Sequence, residues 1–429
     1  MASAHEPPTA LVLSALRALD AAGLGWVLLR GPEAGEAWSG DVDIVVAEVS
    51  HRRLDSLLAA AGLRRLPGTG APVDAAGARG FYVGYDDRRD EWVMLDLVTE
   101  VAFGRRLEFP TSVAPDLLRR RRDVEGMALL DPDDAFWHLL LHSLLDKDVV
   151  PSQRHARLGD MAAQAHADGP LARLVDDLRP GGRSASAVID LVKTADASAM
   201  AALAADLRAG WRRHDRRRVW RRVVQSRLAR VHVIREAPTE STGLAVAIVG
   251  PDGAGKSTLA DGLARSLPLP TEVLYMGVWR DPAWRPWLRF LRLVPGMRLA
   301  VRSARLAAGS LQCSYHRRRG RLVLLDRFTY DAALPAELDW RGKVTVAIAR
   351  RMSGAPDAVL FLDAPPEVMY ARKGEHDLDG LARDRDAYRR LVADHPRATV
   401  IDATLPAVQV RARAHRAVWE LLAAGARAR

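Results

Sequence analysis

The run Gly250 to Thr258 reads GPDGAGKST and satisfies the spacing G-x-x-x-x-G-K-[ST] directly after the apolar stretch Leu244 to Val249. Gly250, Gly253 and Gly255 let the chain turn so that successive N–H groups face an anion, and a helix starting at Lys256 would add the positive end of its dipole. The whole loop, Gly250, Pro251, Asp252, Gly253, Ala254, Gly255, Lys256, Ser257 and Thr258, is the expected cradle for the phosphates of ATP. Lys256 is expected to reach the β- and γ-phosphates, and the Ser257 hydroxyl to coordinate Mg²⁺. Further on, LVLLDR, Leu322 to Arg327, is an apolar strand ending in a carboxylate, and ligands of open α/β sheets collect at such strand tips. Asp326 is therefore a second expected Mg²⁺ ligand, and Arg327 a counter-charge for a transferred or accepting phosphate. An acceptor phosphate, already ionised at neutral pH, needs alignment and neutralisation only. An acceptor hydroxyl would want a general base, for which Asp252 and Asp326 are the candidates.

A second constellation lies near the N-terminus. In SGDVDIVV, Asp41 and Asp43 are two apart on an expected strand and so share a face. Asp96, in WVMLDLV, is a lone acid in an apolar strand, where an unpaired charge is expensive and a metal would remove the cost. Three carboxylates converging on Mg²⁺ ions, with Gly31 on a preceding turn approaching a triphosphate, is the layout of two-metal nucleotidyl transfer. His138 and His142 stand i, i+4 in HLLLH, but without an intervening glutamate they are expected to pack or touch substrate rather than bind metal.

The elements that must position these residues follow from periodicity. An amphipathic helix over Thr9 to Ala22 precedes the strands WVLLR and DVDIVV, and a second helical segment runs from His51 to Ala61. FYVGYDD and EWVMLDLV alternate around DRRD, as a hairpin does. From Pro115 to about Arg235 the pattern is helical, broken at RPGGRSAS. After the short polar segment EAPTESTG come LAVAIV, EVLYM, LVLLD, AVLFLD and ATVID, near-continuous apolar strands between helices, which mean a parallel sheet covered on both faces. The expected fold is α/β: a phosphate-loop parallel sheet with helices on both faces, plus an N-terminal mixed α/β domain with a helical extension. The expected boundaries are 1–110, a helical extension 111–235, a linker 236–243 and the phosphate-loop domain 244–429.

Asp252 inside the loop, DRF at Asp326 to Phe328, APDAVLFLDAPPEVMYARK at Ala355 to Lys373 and the late VIDAT together resemble thymidylate kinase, over the part of the chain from Leu244 onward. The resemblance implies phosphoryl transfer from Mg-ATP to a nucleoside monophosphate such as dTMP. It also implies that Asp252 contacts the acceptor sugar and Arg327 the acceptor phosphate, and that Arg372, with Lys373, begins a basic lid over the transferring group. MGVWRDPAWRPW replaces the family's usual arginine motif, and TYD follows DRF in place of its usual serine. The N-terminal pattern LLRG, SGDVDIVV and strand acid, with DDAFWHLLLHSLLDKD behind it, resembles the polymerase-β-like nucleotidyltransferase superfamily over residues 10 to 165. That resemblance implies a second, nucleotidyltransferase activity or a degenerate regulatory domain. For the kinase half the alternatives are a sugar, lipid-linked or antibiotic acceptor, or a protein that only senses ATP.

Composition is compatible with all of these enzymes. The chain of 429 residues is 48% hydrophobic and 27% charged, which excludes a disordered or collagen-like protein and suggests more than one domain. Its single cysteine, Cys313, cannot form an intramolecular disulfide, and the opening MASAHEPPTA lacks the basic start of a signal peptide, so a cytoplasmic protein is expected. With 63 Lys+Arg against 53 Asp+Glu the balance favours anionic partners. Between Trp211 and Arg235, Trp220, Val223, Val224, Leu228 and Val231 fall on one helical face with arginines elsewhere, and a second basic stretch runs from Arg280 to Arg321. Nucleic acid or an anionic membrane could use such surfaces, but a solvated face with a packed tryptophan edge is preferred; a homodimer is left open.

Overall fold

A computed structural model of the chain describes residues 9–30, 40–66, 79–147, 151–235, 243–277, 297–328, 347, 355–374, 377–393 and 395–425. Gly31, most of the expected linker and the MGVWRDPAWRPW segment beyond Gly277 lie outside the described residues. The chain divides into two compact units, 1–86 with 91–236, and 87–90 with 237–429.

The first unit opens with α1 (Ala10–Ala21), whose N-terminus is capped by the Thr9 hydroxyl accepting from Val12 N. There follow β1 (Trp26–Leu28), β2 (Gly40–Val46), α2 (His51–Ala60), β3 (Arg64–Arg65), β4 (Arg79–Asp86) and β5 (Glu91–Val98). Next come β6 (Ala102–Phe103), β7 (Phe109–Pro110), α3 (Ala114–Arg120), β8 (Arg122–Val124) and β9 (Met127–Leu129). The main sheet has the order β3-β4-β5-β2-β1-β9-β8. Strand alternation sorts its faces: Trp26, Leu28, Ile44 and Leu95 pack with α1 and α2, while Val27 and Val45 point to the other side, among α3 and the helices that follow. Asp43 shares the parity of Val45. The parallel register of β2 and β5 sets it opposite Asp96, and Asp41 opposite Met94.

Over that acidic face lies α4 (Pro132–Leu145), apolar nearly all round and buried accordingly. It packs with α5 (Ser152–Ala162), α6 (Pro170–Leu178), α7 (Ala185–Thr194) and α8 (Ala197–His214) around Leu140, Leu171, Val175, Val188, Leu207 and Trp211. A 3₁₀ turn at Pro180–Gly182 marks the expected break. α9 (Arg216–Arg235) follows.

Two local expectations change here. The stretch read as helical from Pro115 contains the β8–β9 hairpin, because Glu125 and Gly126 adopt positive φ (54° and 78°), the two-residue turn whose twist suits a hairpin. On α9 the packed side is Val219, Arg222 and Ser226, with Arg218 and Arg222 both bonded to Glu100, whereas Trp220 is 68% exposed. Two arginines anchored by the half-buried Glu100, not the tryptophan edge, set which face of the described part of α9 turns inward.

The second unit contains β10 (Ala245–Val249), α10 (Lys256–Ser266), β11 (Thr271–Tyr275), α11 (Met297–Arg318) and β12 (Leu322–Asp326). It continues with β13 (Ala358–Asp363), α12 (Pro366–Lys373), α13 (Leu378–Ala393), β14 (Ala398–Asp402) and α14 (Ala407–Gly425). All pairings in its sheet are parallel, in the order β11-β12-β10-β13-β14, and β10 is buried along its whole length. Because β10 has later strands on both sides, the chain leaves its tip at the point where the order reverses, and a crevice opens there.

Candidate active site

The turn after β10 sits in that crevice. Gly250, Gly253 and Gly255 have φ of 152°, 86° and 96°. A Cβ on Gly250 would lie 2.7 Å from Leu362 O, and one on Gly253 2.5 Å from Met369 O, so the loop passes too close to β13 and α12 for any side chain there. Gly255 ends the loop as the N-cap of α10 and offers no side chain to the first turn, whose N–H groups remain for a ligand. Pro251 and Ala254 are buried, Thr258 exposed. Lys256 is only 6% exposed, and its ammonium donates to Gly250 O (2.6 Å) and Pro251 O (2.8 Å).

Ser257 Oγ donates to Asp326 Oδ2 at 2.9 Å, joining the loop to the tip of β12. Asp326 Oδ1 is buried and has no hydrogen-bond partner among the described residues. A hydroxyl and a carboxylate with one unsatisfied oxygen suit Mg²⁺, which takes one or two protein oxygens and completes its shell from water and phosphate.

Asp252 gathers cations. Its Oδ1 accepts from Arg327 Nη2 at 2.5 Å and lies 3.4 Å from Lys256 Nζ, and its Oδ2 is 3.7 Å from Lys373 Nζ. Burial alone would raise its pKa, but the charges of Lys256, Arg327 and Lys373 outweigh it and hold the carboxyl below its ordinary value. Arg327 keeps φ at 64°, a conformation that costs energy in a non-glycine residue and clusters at functional positions. Arg372 turns elsewhere, its Nη2 donating to Ala403 O at 2.9 Å. Of the two residues expected to begin a lid, Lys373 is the one that joins the Asp252 cluster.

One further contact escaped the sequence reading. Asp363, at the tip of β13, accepts from Arg385 Nε (2.5 Å) and Nη2 (3.2 Å) and from Arg389 Nη2 (2.7 Å), tying α13 to the strand beside the loop. The signal was present: an acid closing AVLFLD and two arginines four apart on one helical face.

In the first unit the residues meet differently. Asp43 faces Asp96 in register, yet Asp43 Oδ2 accepts from Arg30 Nε (2.7 Å) and Nη2. Asp41 is on β2, but its side chain, like Gly31, lies outside the described residues. Among the described residues no group of three or more His, Cys, Asp or Glu side chains gathers as a metal site. His138 is buried, its Nδ1 has no hydrogen-bond partner among the described residues, and burial, then His142 and Arg30, push its pKa down to about 3, so it is neutral.

A parallel sheet, a phosphate loop at the reversal of strand order and a strand-tip aspartate bonded to the loop serine define a nucleotide-kinase-like domain. No family model matches the chain. It is similar to the thymidylate kinase of Xylella fastidiosa (strain M23), 32% identical over 202 residues, which cover 42% of this chain and 88% of the relative. A second Xylella fastidiosa thymidylate kinase (strain 9a5c) is 31% identical over 41% of this chain and 91% of its own length. The thymidylate kinase of Xanthomonas campestris pv. campestris (strain B100) is 31% identical over 42% of this chain and 85% of its own. The chain belongs to the thymidylate kinase family. Among the described residues no helix is long and apolar enough to cross a membrane.

Proposed function

We propose that the second unit, about residues 244–429, transfers the γ-phosphate of ATP to a nucleoside monophosphate such as dTMP. The observation that carries this is the Ser257–Asp326 contact beside an unsatisfied Asp326 oxygen, at the mouth of a loop built to hold phosphates. Mg²⁺ held by Ser257 and Asp326 would neutralise the β- and γ-phosphates. The loop N–H groups and the N-terminus of α10 orient the polyphosphate. Lys256, now satisfied by its own loop carbonyls, turns to the β- and γ-phosphates when they arrive. Arg327, leaning on Asp252, is placed for the acceptor phosphate, and its release from the carboxylate lets Asp252 accept from an acceptor hydroxyl. Arg372 and Lys373 close from the end of α12. No residue need act as general base, because the attacking oxygen is already anionic.

For the first unit, the acid pair Asp43 and Asp96 on adjacent parallel strands supports a nucleotide-binding site of the nucleotidyltransferase type at about residues 1–110, with the helical extension over it.

The kinase reading is tested by ADP release from the full chain with Mg-ATP and a panel of nucleoside monophosphates. Release that depends on dTMP or a related monophosphate is expected. Silence across the panel, with release prompted by a sugar or other metabolite, would move the acceptor out of the nucleotide class.

A further inference from the structure

We infer that Arg30 is the phosphate-binding residue of the first unit and that Asp43 is its internal competitor, the ligand being the polyphosphate of a nucleoside triphosphate. This rests on reading the first unit as a nucleotide site.

Arg30 lies two residues beyond the end of β1. Its fork holds Asp43, and its third nitrogen, Nη1, stands 3.4 Å from His142 Nε2. Arginine only donates, so Nε2 is the acceptor and the ring proton sits on Nδ1. That proton faces Asp146 Oδ2 at 2.7 Å, while Asp146 Oδ1 accepts from Gly104 N at 2.5 Å. A guanidinium needed only to balance Asp43 would require the fork alone. Here a histidine, oriented by a second carboxylate that itself accepts from a backbone N–H, fixes the remaining edge, so the group is aimed as well as paired. It is also reachable: the Arg30 side chain is 34% exposed against 18% for Asp43. Nε and Nη2 converge on the one oxygen Asp43 Oδ2, and a phosphate oxygen can accept the same pair of N–H groups. It can take the fork in place of Asp43 while His142 holds the guanidinium in position.

This exchange predicts opposite signs for two substitutions. In the Lys256→Ala full chain, which silences the loop of the second unit, methylanthraniloyl-ATP is titrated by fluorescence and inorganic tripolyphosphate by calorimetry, both in EDTA. Arg30→Gln is expected to weaken binding at least tenfold, Arg30→Lys less, and Asp43→Asn to strengthen it about tenfold. A gain of binding cannot come from misfolding. Arg30-dependent binding of both probes assigns recognition to the phosphate chain itself; Arg30-dependent binding of the nucleotide alone assigns it to the nucleotide. Binding that survives Arg30→Gln, or that Asp43→Asn weakens in EDTA, overturns the inference while leaving the nucleotide site intact. Failure of every variant to bind either probe overturns the reading of the unit and the inference with it.

Discussion

One carboxylate holding three cations is the chemical centre of the second unit. Asp252 keeps Lys256, Arg327 and Lys373 together, and on the proposed function phosphate groups compete with it for them. Since its folded pKa lies below the ordinary carboxylate value, its ionised form adds stability that is fully present above about pH 4 and disappears as pH falls through the folded value. The stability difference between wild type and Asp252→Asn, measured by denaturant titration, should therefore be largest near neutrality and shrink on acidification below about pH 4. A constant difference would show that charge is not what Asp252 contributes. Lys256→Ala removes a positive charge from the transferring phosphates and is expected to lower kcat on the order of 10²- to 10³-fold in a steady-state assay. At this scale the meeting of the loop with Asp326 was legible, because a glycine-rich turn and an acid that each end an apolar parallel strand come out at the same edge of the sheet. Arg372 and Lys373 were not separable by sequence: which of two adjacent cations reaches Asp252 is set by the helix end, where Arg372 is captured by Ala403 O. Arg30 gave no signal, since an arginine thirteen residues from an acid looks like any other until β1 and β2 pair.

Elements deliver these groups with little slack. The phosphate loop runs against Leu362 O and Met369 O, so Gly253→Ala sets a Cβ 2.5 Å from a backbone oxygen at a φ of 86°. A loss of stability of about 1–3 kcal/mol is expected, together with weaker ATP binding, measurable by thermal shift and titration. α13 is held to the tip of β13 by Asp363, whose side chain is 14% exposed and whose carboxyl is kept below its ordinary pKa by Arg385 and Arg389 against the cost of burial. Asp363→Ala leaves two guanidinia without their acceptor and is expected to cost about 2 kcal/mol. It should also raise KM for ATP more than it lowers kcat, because α13 carries no reacting atom; equal effects on both would contradict this. Long apolar strands and the β4–β5 hairpin were readable from period and turn residues. The β8–β9 hairpin was not, because its three-residue strands carry too few positions to show alternation beside strong helical neighbours.

At the scale of the molecule, each unit has its own core, one around α4 and the mixed sheet and one around β10. On the proposed function, Mg-ATP binding to the native second unit should stabilise it by RT ln(1 + [L]/Kd), about 2.7 kcal/mol at a hundredfold excess over Kd, and so raise its thermal transition. In calorimetry of the full chain the transition that moves with Mg-ATP should cease to move in Lys256→Ala, while Asp43→Asn leaves that shift unchanged. The most direct measurement is phosphorus-31 NMR of the full chain with Mg-ATP and dTMP. A dTDP β-phosphate resonance growing in step with ADP is expected for wild type and none for Asp326→Asn. Intact ATP beside dTMP and every other nucleoside monophosphate offered to the wild-type protein would contradict it.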